Sequence, residues 1–323
     1  MILTSATVGY LGAQSALYAL ALVSGVKAWQ ILRTWDFNKS TKEQYANEKN
    51  AYLVSTVIIF LLFFKALLAI FLIYLIDSLT PFIRAAMCGV GVLNATILGW
   101  ELIFLKMALI ALFGLWLKSD LKDKEALDYP LIKFKFRFFL IILFLMSIEL
   151  LFDYIMIFSL ETQKVVSCCS VTFSAQNELA GFISLERSFV GVVFFITALF
   201  YLLLGVASFF YKKAQPFFGV FAIFYLIVGL FFVVYTVSPY VYELPTHTCP
   251  FCIIQKEFFY IGYLFYLFLF MSGFYGIKRG FSKLFLKENG KKDIILSLIF
   301  GLIFIALSLL YTFGYYIKNG VWL

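Results

Sequence analysis

Five cysteines and one histidine are the residues of this chain best suited to redox chemistry or to binding a soft metal ion. Cys249 and Cys252 form a CxxC motif that begins two residues after His247, and Cys168 and Cys169 form a second, adjacent pair. Thiolates in such motifs are nucleophiles for thiol–disulfide exchange and also ligands for soft metals. These two pairs are therefore the first candidates for a reactive centre.

The CxxC motif stands at the start of an apolar run, which predicts that it occupies the N-terminus of a membrane helix. Exposed backbone N–H groups and the positive end of the helix dipole would stabilise a thiolate there. Lys256 would lie one turn beyond Cys252 on the same face and add a positive charge. This pattern predicts thiol–disulfide exchange by Cys249 and Cys252, supported by His247 and Lys256. The alternative is a static disulfide or two inert cysteines.

The other three cysteines extend this candidate centre. A disulfide between the adjacent Cys168 and Cys169 would close a small, strained ring, so we expect each sulfur to pair elsewhere or both to bind one metal ion. Cys88 makes the number of cysteines odd, which indicates an additional thiol or an intermolecular partner. Two pairs and one further thiol suit a disulfide relay, so Cys88, Cys168 and Cys169 join the catalytic candidates.

A metal site is a second hypothesis for the same atoms. Thiolates, an imidazole and a thioether are soft ligands suited to copper(I) or zinc. The candidate ligands are the side chains of His247, Met87, Cys168, Cys169, Cys249 and Cys252. The long separation between the two cysteine pairs is not diagnostic of a known metal motif. The sequence thus leaves redox and metal chemistry both open.

Composition indicates the elements that must hold these residues. Of the 323 residues, 63% are hydrophobic, 20% aromatic and only 14% charged, and the mean hydropathy is +0.97. A soluble globular protein has about half apolar and a quarter charged residues, so that class is excluded. The chain is predicted to be all-α, a polytopic helical bundle in the membrane with about eight spans. The predicted spans are 9–32, 51–76, 95–117, 137–160, 188–211, 217–240, 252–277 and 294–317.

The basic residues predict the orientation. The loops after the first, third, fifth and seventh spans contain 18 of the 26 lysines and arginines, and cytoplasmic loops retain positive charge. Both termini are therefore expected outside the cytoplasm, in a protein of the bacterial inner membrane. All five cysteines and the histidine then lie on the outer side, where disulfides form and persist. The net charge of +8 thus reflects topology and does not indicate a nucleic-acid partner.

A CxxC at the outer end of a membrane helix, with further cysteines in an outer loop, resembles bacterial disulfide-forming membrane oxidases and vitamin K epoxide reductase. The resemblance covers Cys249 to Cys252 and, loosely, the loop that contains Cys168 and Cys169. It implies that electrons pass to a quinone. Those families have fewer spans and a loop pair that is not adjacent, so the resemblance implies no membership.

Residues 1–323 are expected to form a single transmembrane domain. Thr80 and Pro81 predict the start of a short re-entrant or interfacial helix within residues 77–99, ending at Cys88, with an exposed loop as the alternative. Residues 161–187 are predicted to form an extracytoplasmic loop.

Five charged residues fall within the predicted spans of the second, third and fourth helices. A charge in the middle of the bilayer costs about 2.5 to 3.5 kcal/mol, so these side chains should face the bundle interior and pair. They are Lys65, Lys106, Glu101, Glu149 and Asp153. The sequence leaves open whether they form a proton or ion path or ion pairs that orient the helices.

The leading functional hypothesis is a membrane thiol–disulfide oxidoreductase that exchanges electrons with a periplasmic thioredoxin-like protein or with a partner in the lipid bilayer. The first alternative is a copper-binding or other soft-metal protein, and the second is a structural subunit with static disulfides. The sequence has no P-loop, no dinucleotide-binding fingerprint and no HExxH motif, so nucleotide hydrolysis and zinc proteolysis are not indicated.

Overall fold

The computed structural model describes residues 4–37, 41–126, 129–163, 165–166, 187–245, 247–288 and 290–323. Within these ranges the secondary structure is helical, without strands, and eight helices are long and apolar enough to cross a membrane. The chain is therefore a multi-pass integral membrane protein, as the sequence predicts. The eight long helices are α1 Ser5–Thr34, α2 Lys42–Ser78, α3 Gly99–Lys124, α4 Ile132–Phe158, α5 Arg187–Phe210, α6 Gln215–Phe232, α7 Ile261–Leu284 and α8 Lys292–Asn319.

The long helices are divided between two compact units. Unit 1 comprises Met1–Arg84 and Val92–Val166 and contains α1 to α4. In it, α1 packs against α2 and α4, while α3 packs against α2 and α4. Unit 2 comprises Ala85–Gly91 and Ser167–Leu323 and contains α5 to α8. In unit 2, α7 packs against α6 and α8, and α5 packs against α6.

A pair of glycines sets the close approach of α6 and α7 in unit 2. A Cβ atom built on Gly219 would lie 2.6 Å from the Cα atom of Gly280, and one built on Gly280 would lie 2.7 Å from the Cα atom of Gly219. Backbone cannot move away as a flexible side chain can, so no larger residue fits at this crossing. Small residues at membrane helix crossings permit this kind of backbone packing.

Replacing Gly219 with leucine should therefore lower the stability of unit 2 by about 2 kcal/mol or more, because it separates α6 from α7. The matched control is Gly191→Ala on α5, where an added Cβ meets no atom within 4 Å. That change should leave stability unchanged or raise it slightly, because alanine favours helix. Thermal unfolding in detergent measures both variants, and equal melting temperatures for the two would contradict the packing argument.

One turn of π-helix follows α6 and leads toward the cysteines. Val233–Val237 is π-helical, and the next segment, Ser238–Tyr242, is a short α-helix. Pro239 has no backbone N–H, so it cannot donate an α-helical hydrogen bond to the preceding turn. The wider π turn is closed instead by Ser238, whose N–H and hydroxyl both donate to the Val233 carbonyl oxygen. Tyr242 is the last residue of this short helix.

The segment between α2 and α3 differs from the prediction. The predicted helix start at Thr80 yields only a 3₁₀ turn, Thr80–Phe82, and Ala85 has a left-handed φ of 63° that ends helical continuation. A short helix, Gly89–Asn94, follows Cys88 and does not end at it. The expectation of a helix ending at Cys88 is wrong, because the left-handed backbone conformation of Ala85 interrupts the helix and cannot be predicted from the sequence.

Candidate functional site: three buried cysteines in unit 2

Three of the five cysteines lie together in unit 2. The sulfur atoms of Cys88, Cys249 and Cys252 are all within 4.8 Å of one another. The Cys88 and Cys249 sulfurs are 3.5 Å apart, which is van der Waals contact and well beyond the ~2.05 Å of a disulfide bond. The side chains are buried, with 1% of Cys88, 0% of Cys249 and 8% of Cys252 exposed. Cys252 is thus the most accessible of the three.

Cys249 is the central residue of this three-cysteine cluster. Its sulfur contacts the Cys88 sulfur and also accepts a hydrogen bond from the backbone N–H of Cys252, at 3.4 Å. The CxxC turn therefore provides Cys249 with a local donor as well as a neighbouring sulfur.

Two tyrosines fix the backbone of the CxxC turn. The Tyr242 hydroxyl donates to the carbonyl oxygen of Cys249 at 2.6 Å, and the Tyr266 hydroxyl donates to the carbonyl oxygen of Pro250 at 2.9 Å. Tyr242 comes from the short helix after the π turn, and Tyr266 comes from the second turn of α7. Neither tyrosine is singled out by the sequence, which contains 20 tyrosines and no motif that marks these two.

Replacing Tyr242 with phenylalanine should destabilise unit 2 by about 1 to 3 kcal/mol, because the buried Cys249 carbonyl loses a donor. The ring and its contacts with His247 and Phe258 would remain. The control is Tyr260→Phe, since the Tyr260 side chain is 53% exposed and water can replace its hydrogen bonds. Unfolding in detergent measures the difference, and equal stability of the two variants would contradict the role of the Tyr242 hydroxyl.

The start of α7 corrects the predicted helix boundary. The helix begins at Ile261, and the CxxC motif precedes it in a non-helical turn whose last residue, Cys252, begins the 3₁₀ segment Cys252–Ile254. A second 3₁₀ segment, Lys256–Phe258, lies between that segment and the helix. Phe259 and Tyr260 have left-handed φ values of 54° and 57°, which a right-handed helix cannot contain. The CxxC is therefore not at the N-terminus of α7, and the α7 helix dipole does not act on it as the sequence predicted. The local donor to Cys249 is the backbone N–H of Cys252.

The two predicted supporting residues, His247 and Lys256, flank the CxxC motif in the chain. Lys256 is exposed in its 3₁₀ turn and does not follow Cys252 along a helix face. His247 is half-buried, with its ring edge-on to Tyr242 at 4.7 Å, and its imidazole is not part of the three-ligand group. Met87 is 75% exposed. Among the described residues, the cluster therefore contains sulfur ligands alone.

The remaining cysteine predictions lie outside the described part of the chain. Cys168 and Cys169 fall within residues 167–186, which the structure does not describe. Most of the predicted 161–187 loop falls in the same range. Their participation in the site stays a prediction.

Four of the five charges predicted within the membrane meet in unit 1. Lys65 contacts Glu149 at 2.6 Å, and Lys106 contacts Glu149 at 2.5 Å and Asp153 at 3.0 Å. All four side chains are at most 5% exposed. Glu101, in the first turn of α3, is exposed and makes none of these contacts. The two lysines and two carboxylates balance in formal charge, as a buried cluster requires.

Two neutral residues of α1 complete this cluster as a closed polar ring. Lys65 donates to the Gln14 side-chain oxygen at 2.6 Å, Gln14 donates to the Tyr10 hydroxyl at 3.1 Å, and Tyr10 donates to Asp153 at 2.6 Å. Both residues are 0–1% exposed. Sequence analysis missed them, because an uncharged Tyr or Gln in a membrane helix is a weaker signal than a charge.

Comparison with protein-family models, with curated proteins and with solved structures gives no match to this chain.

Proposed function

We propose that the protein catalyses thiol–disulfide exchange at Cys88, Cys249 and Cys252. The observation that carries the proposal is the placement of three buried sulfurs within 4.8 Å, with Cys249 in contact with Cys88. Three sulfurs allow one disulfide and one thiol, which are both neutral. A neutral set is compatible with the burial of all three residues, whereas three uncompensated thiolates would be costly to bury.

Exchange with a partner starts from a Cys249–Cys252 disulfide. A thiolate of a reduced partner attacks the Cys252 sulfur, the Cys249–Cys252 bond breaks, and a mixed disulfide joins Cys252 to the partner. The second thiolate of the partner then attacks the mixed disulfide and releases Cys252. The partner loses two electrons and two protons, and the cysteine pair gains them. Cys252 is the entry residue in this proposal because it is the most exposed of the three.

Cys88 transfers the disulfide within the cluster. After the pair has been reduced and a Cys88–Cys249 disulfide has formed, the Cys252 thiolate attacks the Cys249 sulfur of that disulfide, forms the Cys249–Cys252 bond and releases Cys88 as a thiolate. This step changes no oxidation state, since one disulfide breaks as another forms. The 3.5 Å contact between the Cys88 and Cys249 sulfurs supports this order. Cys168 and Cys169 are proposed to extend the relay.

The orientation proposed from the basic loops places the cluster on the outer face of a bacterial inner membrane. Cys249 and Cys252 precede the N-terminal end of α7, whereas Lys278 and Lys283 lie near its C-terminal end. That distribution supports cysteines outside and lysines inside. The proposed partner is then a periplasmic thioredoxin-like protein, with a quinone in the bilayer as the proposed electron acceptor.

Trapping a mixed disulfide tests the proposal. The double variant Cys88→Ser/Cys249→Ser leaves only Cys252 in the cluster, so no neighbouring described cysteine reverses the reaction. The probe is a thioredoxin whose single remaining cysteine is activated as an aryl mixed disulfide. We expect a covalent adduct at Cys252, identified by peptide mass mapping. The control, Cys88→Ser/Cys252→Ser, should form the adduct more slowly, because Cys249 is completely buried. Folded protein without adduct in either variant would contradict exchange.

A metal-binding function is a second proposal, favoured by the distances between the sulfurs. Tetrahedral zinc with ~2.3 Å Zn–S bonds separates its sulfur ligands by about 3.8 Å, close to the spacing in the cluster. Three thiolates also suit trigonal copper(I). In this case the metal would offset the charges that burial otherwise penalises.

Elemental analysis separates the two proposals. Metal binding requires copper or zinc in near-stoichiometric amount with the purified protein, and its loss from Cys249→Ser. Thiol–disulfide exchange requires instead that the chelator-treated protein forms the Cys252 adduct at the same rate as the untreated protein. Metal-free protein that binds neither ion with high affinity would eliminate the metal proposal.

A further inference from the structure

The three-cysteine cluster is a ligand set made of sulfur alone. The Cys88, Cys249 and Cys252 sulfurs lie within 4.8 Å of one another, and no other cysteine, histidine, aspartate or glutamate in the described ranges belongs to this group. Thiolates select zinc(II), copper(I) and other soft ions, whereas calcium and magnesium require oxygen ligands. The cluster therefore has the chemistry of a site for one thiophilic metal ion.

The sulfurs are already close to the spacing that such an ion requires. Zinc with Zn–S bonds of ~2.3 Å separates its sulfur ligands by about 3.8 Å in a tetrahedral set and about 4.0 Å in a planar trigonal set. The Cys88 and Cys249 sulfurs are 3.5 Å apart, and no pair exceeds 4.8 Å. Side-chain shifts of about 1 Å or less therefore bring all three sulfurs to bonding distance of one ion. The Tyr242 and Tyr266 hydroxyls bond to the backbone of the CxxC turn, so the set forms without an ion.

Burial favours states of the cluster that have little net charge. The three side chains are at most 8% exposed, so three thiolates without a counter-ion would carry a large desolvation cost. Three thiols, or one disulfide with one thiol, are neutral, and one zinc ion on three thiolates leaves a single negative charge. A metal ion that binds thiols displaces their protons. The reduced cluster can therefore pass from three thiols to a metal-bound set without burying an uncompensated thiolate.

A disulfide and a bound ion exclude each other in this cluster. A disulfide joins its two sulfurs at ~2.05 Å and leaves neither of them as a thiolate ligand. Cys249 contacts Cys88 through sulfur and shares the CxxC turn with Cys252, so either proposed disulfide uses Cys249 and one neighbour. Only one sulfur of the described set then remains for the ion. Conversely, an ion on all three thiolates occupies the lone pairs with which each would attack a disulfide.

We propose that one zinc(II) or copper(I) ion binds the reduced cluster through Cys88, Cys249 and Cys252 and suppresses thiol–disulfide exchange until it leaves. This inference rests on the exchange function proposed above and adds its regulation. It gives Cys88 a role as metal ligand that exchange at the CxxC pair alone does not need. The rate of exchange is then set by the fraction of the protein that is metal-free.

Oxidation by a small disulfide such as glutathione disulfide releases the ion. The Cys252 thiolate attacks glutathione disulfide and releases one glutathione thiolate, and the Cys249 thiolate then attacks Cys252 and releases the second. Two electrons pass from the cysteine pair to glutathione. The ion leaves, and the two glutathione sulfurs and Cys88 take up three protons from water.

Metal binding and exchange are measured together on the reduced, detergent-purified protein. Each protein is titrated anaerobically with zinc(II) and, separately, with copper(I), in competition with a chromophoric chelator. The test variant is Cys88→Ser, which removes one ligand and keeps the CxxC pair. The control is His247→Gln, because the His247 imidazole is outside the three-ligand group. Circular dichroism and thermal unfolding verify that all three proteins are folded.

We expect wild type and His247→Gln to bind one ion, and Cys88→Ser to bind it at least about a hundredfold more weakly, because one of three ligands is lost. Glutathione disulfide should release one ion for each Cys249–Cys252 disulfide that mass mapping detects. Free metal at about ten times the wild-type Kd should slow disulfide formation in wild type about tenfold, in proportion to the metal-free fraction. The rate of Cys88→Ser should be nearly unchanged by the same metal concentration.

Reduced wild type that binds neither ion would overturn this proposal, and so would an ion that stays bound after the disulfide has formed. Equal metal affinity of Cys88→Ser and wild type would also overturn it. The trapping variant Cys88→Ser/Cys249→Ser keeps one cluster sulfur, so its Cys252 adduct tests exchange without metal. An adduct together with a wild-type rate that metal does not change would refute the regulation alone. Metal binding without an adduct would refute exchange and, with it, its regulation.

Discussion

Replacing Cys249 with serine is expected to reduce disulfide transfer to the background level of a variant without cysteines. Cys249 contacts Cys88 and accepts the Cys252 N–H bond, so it is the sulfur shared by the two disulfides proposed for the cluster. The assay mixes the air-oxidised protein with reduced thioredoxin and counts the thioredoxin disulfides formed in a single turnover. Each wild-type molecule should convert up to one equivalent of reduced thioredoxin to its disulfide form.

The other cysteine variants make this prediction specific. Cys88→Ser should still convert one equivalent, because the Cys249–Cys252 pair remains. Cys252→Ser should retain a Cys88–Cys249 disulfide but react slowly, since its two sulfurs are at most 1% exposed. If Cys249→Ser matched the wild type in yield, Cys249 would not be the shared residue, and the order of transfer proposed here would be wrong.

Replacing Lys106 with methionine is expected to cost about 3 to 5 kcal/mol of stability, the largest loss for a single residue of unit 1. Lys106 contacts both carboxylates of the buried ring, Glu149 at 2.5 Å and Asp153 at 3.0 Å. Asp153 also accepts a hydrogen bond from the Tyr10 hydroxyl at 2.6 Å. Without Lys106, Asp153 would retain only the Tyr10 hydroxyl, and two negative charges would face one lysine. Unfolding in detergent, followed by circular dichroism, measures the loss.

Charge balance, rather than the number of bonds, explains this expectation. The double variant Lys106→Met/Asp153→Asn removes one charge of each sign and should be more stable than Lys106→Met alone. Glu101→Gln is the matched control, because Glu101 is on the same helix but exposed, and it should have little effect. Equal losses for the single and the double variant would show that packing, and not unpaired charge, determines stability at this position.

The sequence predicted the long helices because their signal is summed over many residues. Each span needs about 20 apolar residues, so single exceptions such as Lys65 do not obscure it. The pairing of Lys65, Lys106, Glu149 and Asp153 was predictable for a related reason, since a charge in the bilayer must find an opposite charge. The same argument failed for Glu101, because α3 begins at Gly99 and places Glu101 in its exposed first turn.

Local backbone geometry was not predictable from the sequence. Left-handed φ values at Ala85, Phe259 and Tyr260 end or delay helices, although none of these residue types favours that region. As a result the CxxC lies in a turn ahead of α7, and Cys88 lies before a short helix. Hydrogen bonds between neutral side chains that are far apart in the sequence could not be predicted either.

The candidate site was predicted in part. Grouping Cys88 with the CxxC followed from the predicted topology, and the structure brings these three sulfurs together. His247 and Lys256 were chosen by their proximity in sequence, which does not determine side-chain direction in irregular backbone. The tyrosines that hold the turn, Tyr242 and Tyr266, act through hydroxyl contacts that only the three-dimensional structure reveals.

The most direct test of the exchange function is a redox titration of the wild-type protein with differential alkylation and disulfide mapping by mass spectrometry. The protein is equilibrated in dithiothreitol buffers of graded potential and then quenched. We expect reversible formation of a Cys249–Cys252 disulfide, a smaller fraction of Cys88–Cys249 disulfide, and full reduction at the most negative potentials. Three cysteines that remain thiols in every oxidising buffer would contradict the proposed function.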